Sequence, residues 1–259
     1  MTEPDRAESV EHIERLLKTD EEADLMVELI SNFDLKNTAD ISQYLYKVLK
    51  SLPNELTESP ETVAFAAKHS KKSGFDSSKT MLGMLANNVP TELNFSMSDN
   101  IYETATDALE NPEIKHLVLI DDFSGTGRAL ETYVKWVNEK CDSIPRDRVK
   151  VHAFFFRALP ATTNRVFVHR PCTLEIEAVL SKGISDYFKP KSFADKQIKV
   201  METIEKSHGN VGSFSLGFGQ SECLYACTGL STPNNVFPIF WKKRAEGLPF
   251  HRPLLRRKQ

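Results

Sequence analysis

His116-Leu117-Val118-Leu119-Ile120-Asp121-Asp122-Phe123-Ser124-Gly125-Thr126-Gly127-Arg128-Ala129-Leu130 is the stretch on which the fold turns. The apolar run 117–120 predicts a strand buried on both faces, as in the middle of a parallel sheet. Asp121 and Asp122 stand where that strand should end, and a short turn of Ser, Gly and Thr follows. From Arg128 the spacing predicts a helix with Leu130, Tyr133, Val134 and Val137 on one side. Strand, acidic pair, small-residue loop and helix together suit a phosphorylated sugar. Backbone N–H groups of the turn and of the helix start can point at an anion, while the carboxylates accept hydrogen bonds from vicinal hydroxyls.

Upstream, Thr19-Asp20-Glu21-Glu22 has the form of a capping box and predicts a helix with Met26, Leu29, Ile30 and Phe33 on one face. A turn over 34–39 and a cap at Asp40 predict a second helix bearing Ile41, Leu45, Val48 and Leu49, stopped by Pro53. A nucleic-acid-reading helix-turn-helix would need basic residues on that second helix, which has only Lys47 and Lys50 in an acidic region. Residues 62–67 read as a strand. Lys71, Lys72, Ser73 and Gly74 follow it, before a helix with Met81, Leu82 and Leu85. That basic loop could neutralise a phosphate or pyrophosphate, or simply face water. Residues 87–97 read as a mobile connection, and 88–98 as a candidate lid. Ser98 or Asp99 is expected to cap a helix running from Ile101 through Leu109.

Downstream, 149–156 and 173–179 read as strands, with His152 a strand residue making a local hydrogen bond. A helix over 191–207, a glycine turn at 217–221, a returning strand at 222–227 and an irregular aromatic segment at 232–241 complete the pattern. The alternation predicts an α/β fold: a parallel sheet flanked by helices, with an N-terminal helical cap. The expected division is a cap at 1–55, a main domain at 56–245 and a basic tail at 246–259.

The 259 residues carry 33 basic and 36 acidic side chains, a net charge of -3 that provides no global field for nucleic acid. No apolar run is long enough for a membrane span and no leader pattern opens the chain, so a cytoplasmic protein is expected. Cys141, Cys172, Cys223 and Cys227 lack paired spacing, and no metal site is expected from them.

The residue after Gly127 is Arg128, not Lys, which rules out a Walker loop, and GxGxxG spacing is absent. Residues 117–130 resemble the PRPP-binding motif of the type I phosphoribosyltransferase fold. The resemblance implies that Asp121 and Asp122 meet the ribose hydroxyls of PRPP. Ser124, Gly125, Thr126, Gly127, Arg128 and Ala129 would then cradle its 5-phosphate, and Lys71, Lys72, Ser73 and Gly74 would lie in the pyrophosphate loop. Ala129 replaces the Thr or Ser usual in the wider fold. Gly125 replaces the catalytic Asp of enzymes acting on 6-oxopurines. Residues 217–221, 232–235 and 238–241 resemble the PRTase-CE group, phosphoribosyltransferase-like proteins assigned to bacterial conflict and anti-phage systems.

Membership implies binding of PRPP or a nucleotide, with Mg²⁺ carried by the PRPP pyrophosphate. It also implies companion proteins of a defence operon, and self-association is compatible with it. The 217–221 turn and 232–235 would wall the acceptor. Two readings stay open: an enzyme transferring a glycosyl group from PRPP, and a catalytically silent subunit that senses a nucleotide.

Overall fold

The computed structural model describes residues 14, 17–67, 77–87, 97–143, 149–164, 172–209, 211–242 and 255. Lys71, Lys72, Ser73 and Gly74, the lid segment through residue 96, and all of the basic tail but Leu255 lie outside them. The chain divides into two compact units, residues 1–36 with 180–259, and residues 37–179. This cuts across the expected 1–55 cap, because its two helices bury their apolar faces in different units.

The first unit opens on α1 (Asp20–Ser31) and β1 (Asp34–Lys36). Thr19 caps α1 as predicted, accepting from the Glu22 amide at 3.2 Å. The helix buries Leu25, Met26 and Leu29, whereas Ile30, expected on that face, is exposed. β1 replaces the expected turn.

In the second unit, α2 (Thr38–Lys50) is capped by Asn37 in a reciprocal box with Asp40, so the cap lies three residues before the one expected. Its buried face, Ile41, Tyr44, Leu45, Val48 and Leu49, packs on the sheet, where Tyr44 meets Phe156 at 5.1 Å between ring centres. There follow α3 (Asn54–Thr57), β2 (Val63–Ala66), α4 (Ser77–Ala86), α5 (Met97–Asn100), β3 (Ile101–Tyr102) and α6 (Ala105–Glu110). The helix expected from Ile101 therefore breaks in two. Ile101 pairs with Phe65 as strand, and a Thr104–Asp107 capping box starts the helix afresh. β4 (His116–Ser124), α7 (Arg128–Asp142), β5 (Lys150–Ala158), α8 (Pro160–Thr163) and β6 (Cys172–Val179) complete this unit.

The sheet is parallel throughout, in the order β3-β2-β4-β5-β6. β4, in its centre, is buried almost end to end, as its apolar run requires. On one face Ala64, Leu117, Leu119, Val151, Ala153 and Phe155 join α6 and α7 through Ala108, Leu109, Leu130, Val134 and Val137. α2 and α4 cover the other face, α4 burying Met81, Leu82 and Leu85. With helices on both faces and all strands parallel, the crossover loops must gather at the strand C-termini, where such folds bind ligands.

Returning to the first unit, α9 (Lys191–His208) packs on α1, and Lys196 reaches Glu21 at 2.6 Å. β7 (Tyr225–Cys227) pairs parallel with β1. The returning strand is shorter than the expected 222–227: Glu222 has φ +50°, and Cys223 makes an isolated parallel bridge with Val236 instead of joining the ladder to β1.

Candidate functional site

β4 runs on past its expected end. Asp121, Phe123 and Ser124 keep pairing with Phe155, Arg157 and Ala158 of β5, so the carboxylates lie within the strand and not beyond it. The consequence is burial: Asp121 is 7% and Asp122 3% exposed. The hydroxyl of Ser77, the first residue of α4, donates to Asp121 Oδ1 at 2.7 Å, and the Asp122 amide donates to the same oxygen at 3.0 Å. Burial first, and the adjacent Asp121 charge second, hold the Asp122 carboxyl well above the usual carboxylate range. Because burial favours the uncharged form of Asp122, the pair can present a donor as well as acceptors. Two neighbouring hydroxyls can satisfy both.

The turn after β4 is held from below. Ser124 Oγ lies 2.9 Å from Thr162 Oγ1 of α8, and Thr162 Oγ1 is also 3.1 Å from the carbonyls of Ser124 and Gly125. The Leu159 amide donates to the Ser124 carbonyl at 2.9 Å. Ser124, expected among the phosphate ligands, thus has its hydroxyl directed at Thr162 in the protein interior. Gly127 is the N-cap of α7 with φ +69°, a left-handed conformation that favours glycine. Lacking a side chain, it gives the first helical turn no acceptor of its own, and the positive end of a 15-residue helix faces the loop. Thr126 Oγ1 accepts weakly from the Arg128 amide at 3.4 Å, while Arg128 and Ala129 are exposed.

Three crossover connections therefore meet around the end of β4: α4 through Ser77, α7 through Gly127 and α8 through Thr162. The connection carrying Lys71, Lys72, Ser73 and Gly74 leaves β2 and returns at Ser77, but those four residues lie outside the described ones. Sequence reading missed Ser77 and Thr162. Each is a hydroxyl in the first turn of a helix that follows a strand, a position whose chemistry shows only once the strand order is known.

In the other unit the 217–221 turn is tied to 234–235. The Phe218 amide donates to the Asn234 carbonyl at 2.8 Å, and Ser221 Oγ to the Asn235 carbonyl at 2.8 Å. Two buried carboxylates not anticipated from sequence brace it. Glu222 accepts from the Ile184 and Ser185 amides at 3.0 and 2.7 Å. Glu205 accepts from the Leu216 amide at 3.1 Å and from Ser215 Oγ at 2.7 Å, and burial pushes its carboxyl up to about 7. The side chains of Ser221 and Asn235 donate to the Asn235 and Phe218 carbonyls, within the segment itself. Among the described residues no helix is long and apolar enough to cross a membrane.

A solved structure similar to this chain is the purine phosphoribosyltransferase from Pyrococcus horikoshii Ot3, at 12% identity over 57% of this chain and 91% of that one, with a TM-score of 0.26. No curated protein matches. The PRTase-CE family model matches residues 15–257, which include both units and the whole of the β4–α7 motif. The chain belongs to the PRTase-CE family.

Proposed function

We propose that this protein binds PRPP or a 5′-phosphorylated ribonucleotide at the C-terminal end of β4. The observation that carries the reading is the buried Asp121–Asp122 pair, in which Asp122 is driven toward its protonated form, directly before a glycine-capped helix start. Vicinal ribose hydroxyls match that pair, and the amides of the Gly125–Gly127 turn and of α7 match a phosphate. Lys71 and Lys72 would neutralise the pyrophosphate. Mg²⁺ is expected to arrive on the PRPP pyrophosphate, whose oxygens suit a hard cation. Bound there, it would withdraw charge from the leaving group.

With an acceptor present, the chemistry is displacement at the anomeric carbon. The acceptor forms a bond to C1 as the C1–O bond to pyrophosphate breaks, and pyrophosphate departs with the electron pair. The protein's part is positioning: Ser77 fixes Asp121, Thr162 fixes the turn, and both hold the ribose phosphate end still. Family membership supports a role as an effector or accessory component of bacterial anti-phage defence. A second reading, a nucleotide sensor without turnover, is favoured by Gly125 and Ala129. Both lack side-chain groups that base-salvage enzymes use, and neither loss removes the acidic pair.

The test is calorimetry of the full chain with PRPP, ribonucleotides and pyrophosphate, with and without Mg²⁺, followed by assay of pyrophosphate release. Binding that Asp121→Asn with Asp122→Asn abolishes supports the site. Release in the wild type selects the enzyme, and binding without release selects the sensor. Failure of every ligand to bind would overturn the reading.

A further inference from the structure

At the opposite end of the same strands, Glu55 of α3, His116 at the start of β4 and His152 of β5 converge. One ligand atom from each lies within 4.8 Å of the others. His116 Nδ1 and His152 Nε2 are 3.1 Å apart, close to the separation of two nitrogens on one tetrahedral ion with bonds of about 2.0–2.1 Å. His152 is fully buried, and its other nitrogen, Nδ1, lies 2.8 Å from Thr173 Oγ1 of β6. If Nδ1–H donates to that hydroxyl, the Nε2 lone pair is left aimed at the cluster. This is the outer hydrogen bond that orients metal-binding histidines in general.

We propose that Glu55, His116 and His152 form a binding site for a divalent transition-metal ion of the zinc class. Two imidazole nitrogens and one carboxylate oxygen suit Zn²⁺ or Co²⁺ rather than Mg²⁺ or Ca²⁺, which prefer oxygen throughout. Glu55 is exposed and His116 half-buried, so a fourth position is open to water. The cluster also contains its competitor. Lys150 Nζ sits 2.8 Å from Glu55 Oε2 and supplies the positive charge the carboxylate otherwise lacks. Without an ion the His116–His152 contact is a hydrogen bond with the proton on one ring. With an ion, the His116 proton moves to Nε2 and both lone pairs face inward. The ion would tie the short α3 to the base of the sheet, remote in the fold from the Asp121–Asp122 pair.

The sequence gives no warning of this site, because its ligands come from three separate elements and follow no short spacing. The test uses full-length protein stripped with EDTA and then titrated with Co²⁺ in the visible range and with Zn²⁺ by calorimetry. One equivalent should bind, with ligand-field bands and no thiolate charge-transfer band, and should raise the melting temperature by several degrees. His116→Gln and Glu55→Gln, which leave buried His152 in place, should each weaken binding at least tenfold, and Lys150→Met should tighten it. Circular dichroism checks that the variants fold. The proposal is overturned by absence of saturable binding in the wild type, by unchanged affinity in His116→Gln, or by a thiolate band that assigns the ion to cysteine. None of these outcomes depends on whether PRPP binds.

Discussion

Glu205→Gln should make the protein more stable in mild alkali and leave it unchanged in mild acid. Glu205 lies in α9 and holds the Leu216 amide and the Ser215 hydroxyl while buried, which raises its carboxyl from 4.5 to about 7. At ~1.4 kcal/mol per pH unit, that gap corresponds to roughly 3 kcal/mol of penalty for keeping the folded-state carboxylate ionised. Because the folded value is the raised one, the native state holds a proton that the unfolded chain has already released. Stability is therefore fully present below 4.5, falls as pH rises, and has lost this contribution once pH passes about 7. Glutamine copies the protonated acid: its oxygen accepts from the Leu216 amide, and its NH2 group stands where the acid O–H does, with the Ser215 hydroxyl rotating to accept from it. Urea unfolding of both proteins from about pH 4 to about pH 8 isolates the effect as a difference, since other titrating groups cancel. The variant should gain up to roughly 3 kcal/mol near pH 8 and almost nothing near pH 4. A difference that stays constant across that range, or a variant less stable near pH 8, would refute the reasoning.

Gly217→Ala should be severely destabilising. With φ +80°, a Cβ there would lie 1.9 Å from the Asn235 carbonyl oxygen, and backbone cannot move aside as a side chain could. Left-handed strain and the clash together should cost more than ~3 kcal/mol, read by thermal unfolding. Tyr133→Phe should be neutral or stabilising by about 1 kcal/mol, because the buried hydroxyl has no hydrogen-bond partner among the described residues. Calorimetric melting checks this. Ser77→Ala, which removes the 2.7 Å hydrogen bond to Asp121, should weaken nucleotide or PRPP binding by about tenfold while leaving the melting temperature within a few degrees.

The centre of the fold was legible because its signals are local and strong. The apolar run before Asp121 could only be a doubly buried strand. The capping pattern at Thr19 and the Pro and Gly punctuation placed most helices. Misreadings arose where two local signals compete. Asn37 and Asp40 can both begin a helix, and the reciprocal box between them chose Asn37. Ile101 carries helical spacing, yet edge pairing with Phe65 took it into the sheet. Partition into units was invisible, since it depends on which neighbour buries each amphipathic face. At the site, the acidic pair and glycine loop stood out in sequence. Their supports, Ser77 and Thr162, and the Glu55–His116–His152 cluster exist only through strand order and register.

In the proposed function, Asp121 and Asp122 read the vicinal hydroxyls of a ribose phosphate. Binding of ribose 5-phosphate and 2-deoxyribose 5-phosphate, compared by NMR titration of the wild type and of Asp121→Asn with Asp122→Asn, tests it at both partners. A hydrogen bond to a charged group contributes about 1.5–3 kcal/mol. The wild type should therefore prefer the ribose form by roughly tenfold or more, and the preference should largely vanish in the double variant. Equal binding of the two sugars by the wild type, or a preference that survives in the variant, would contradict the account.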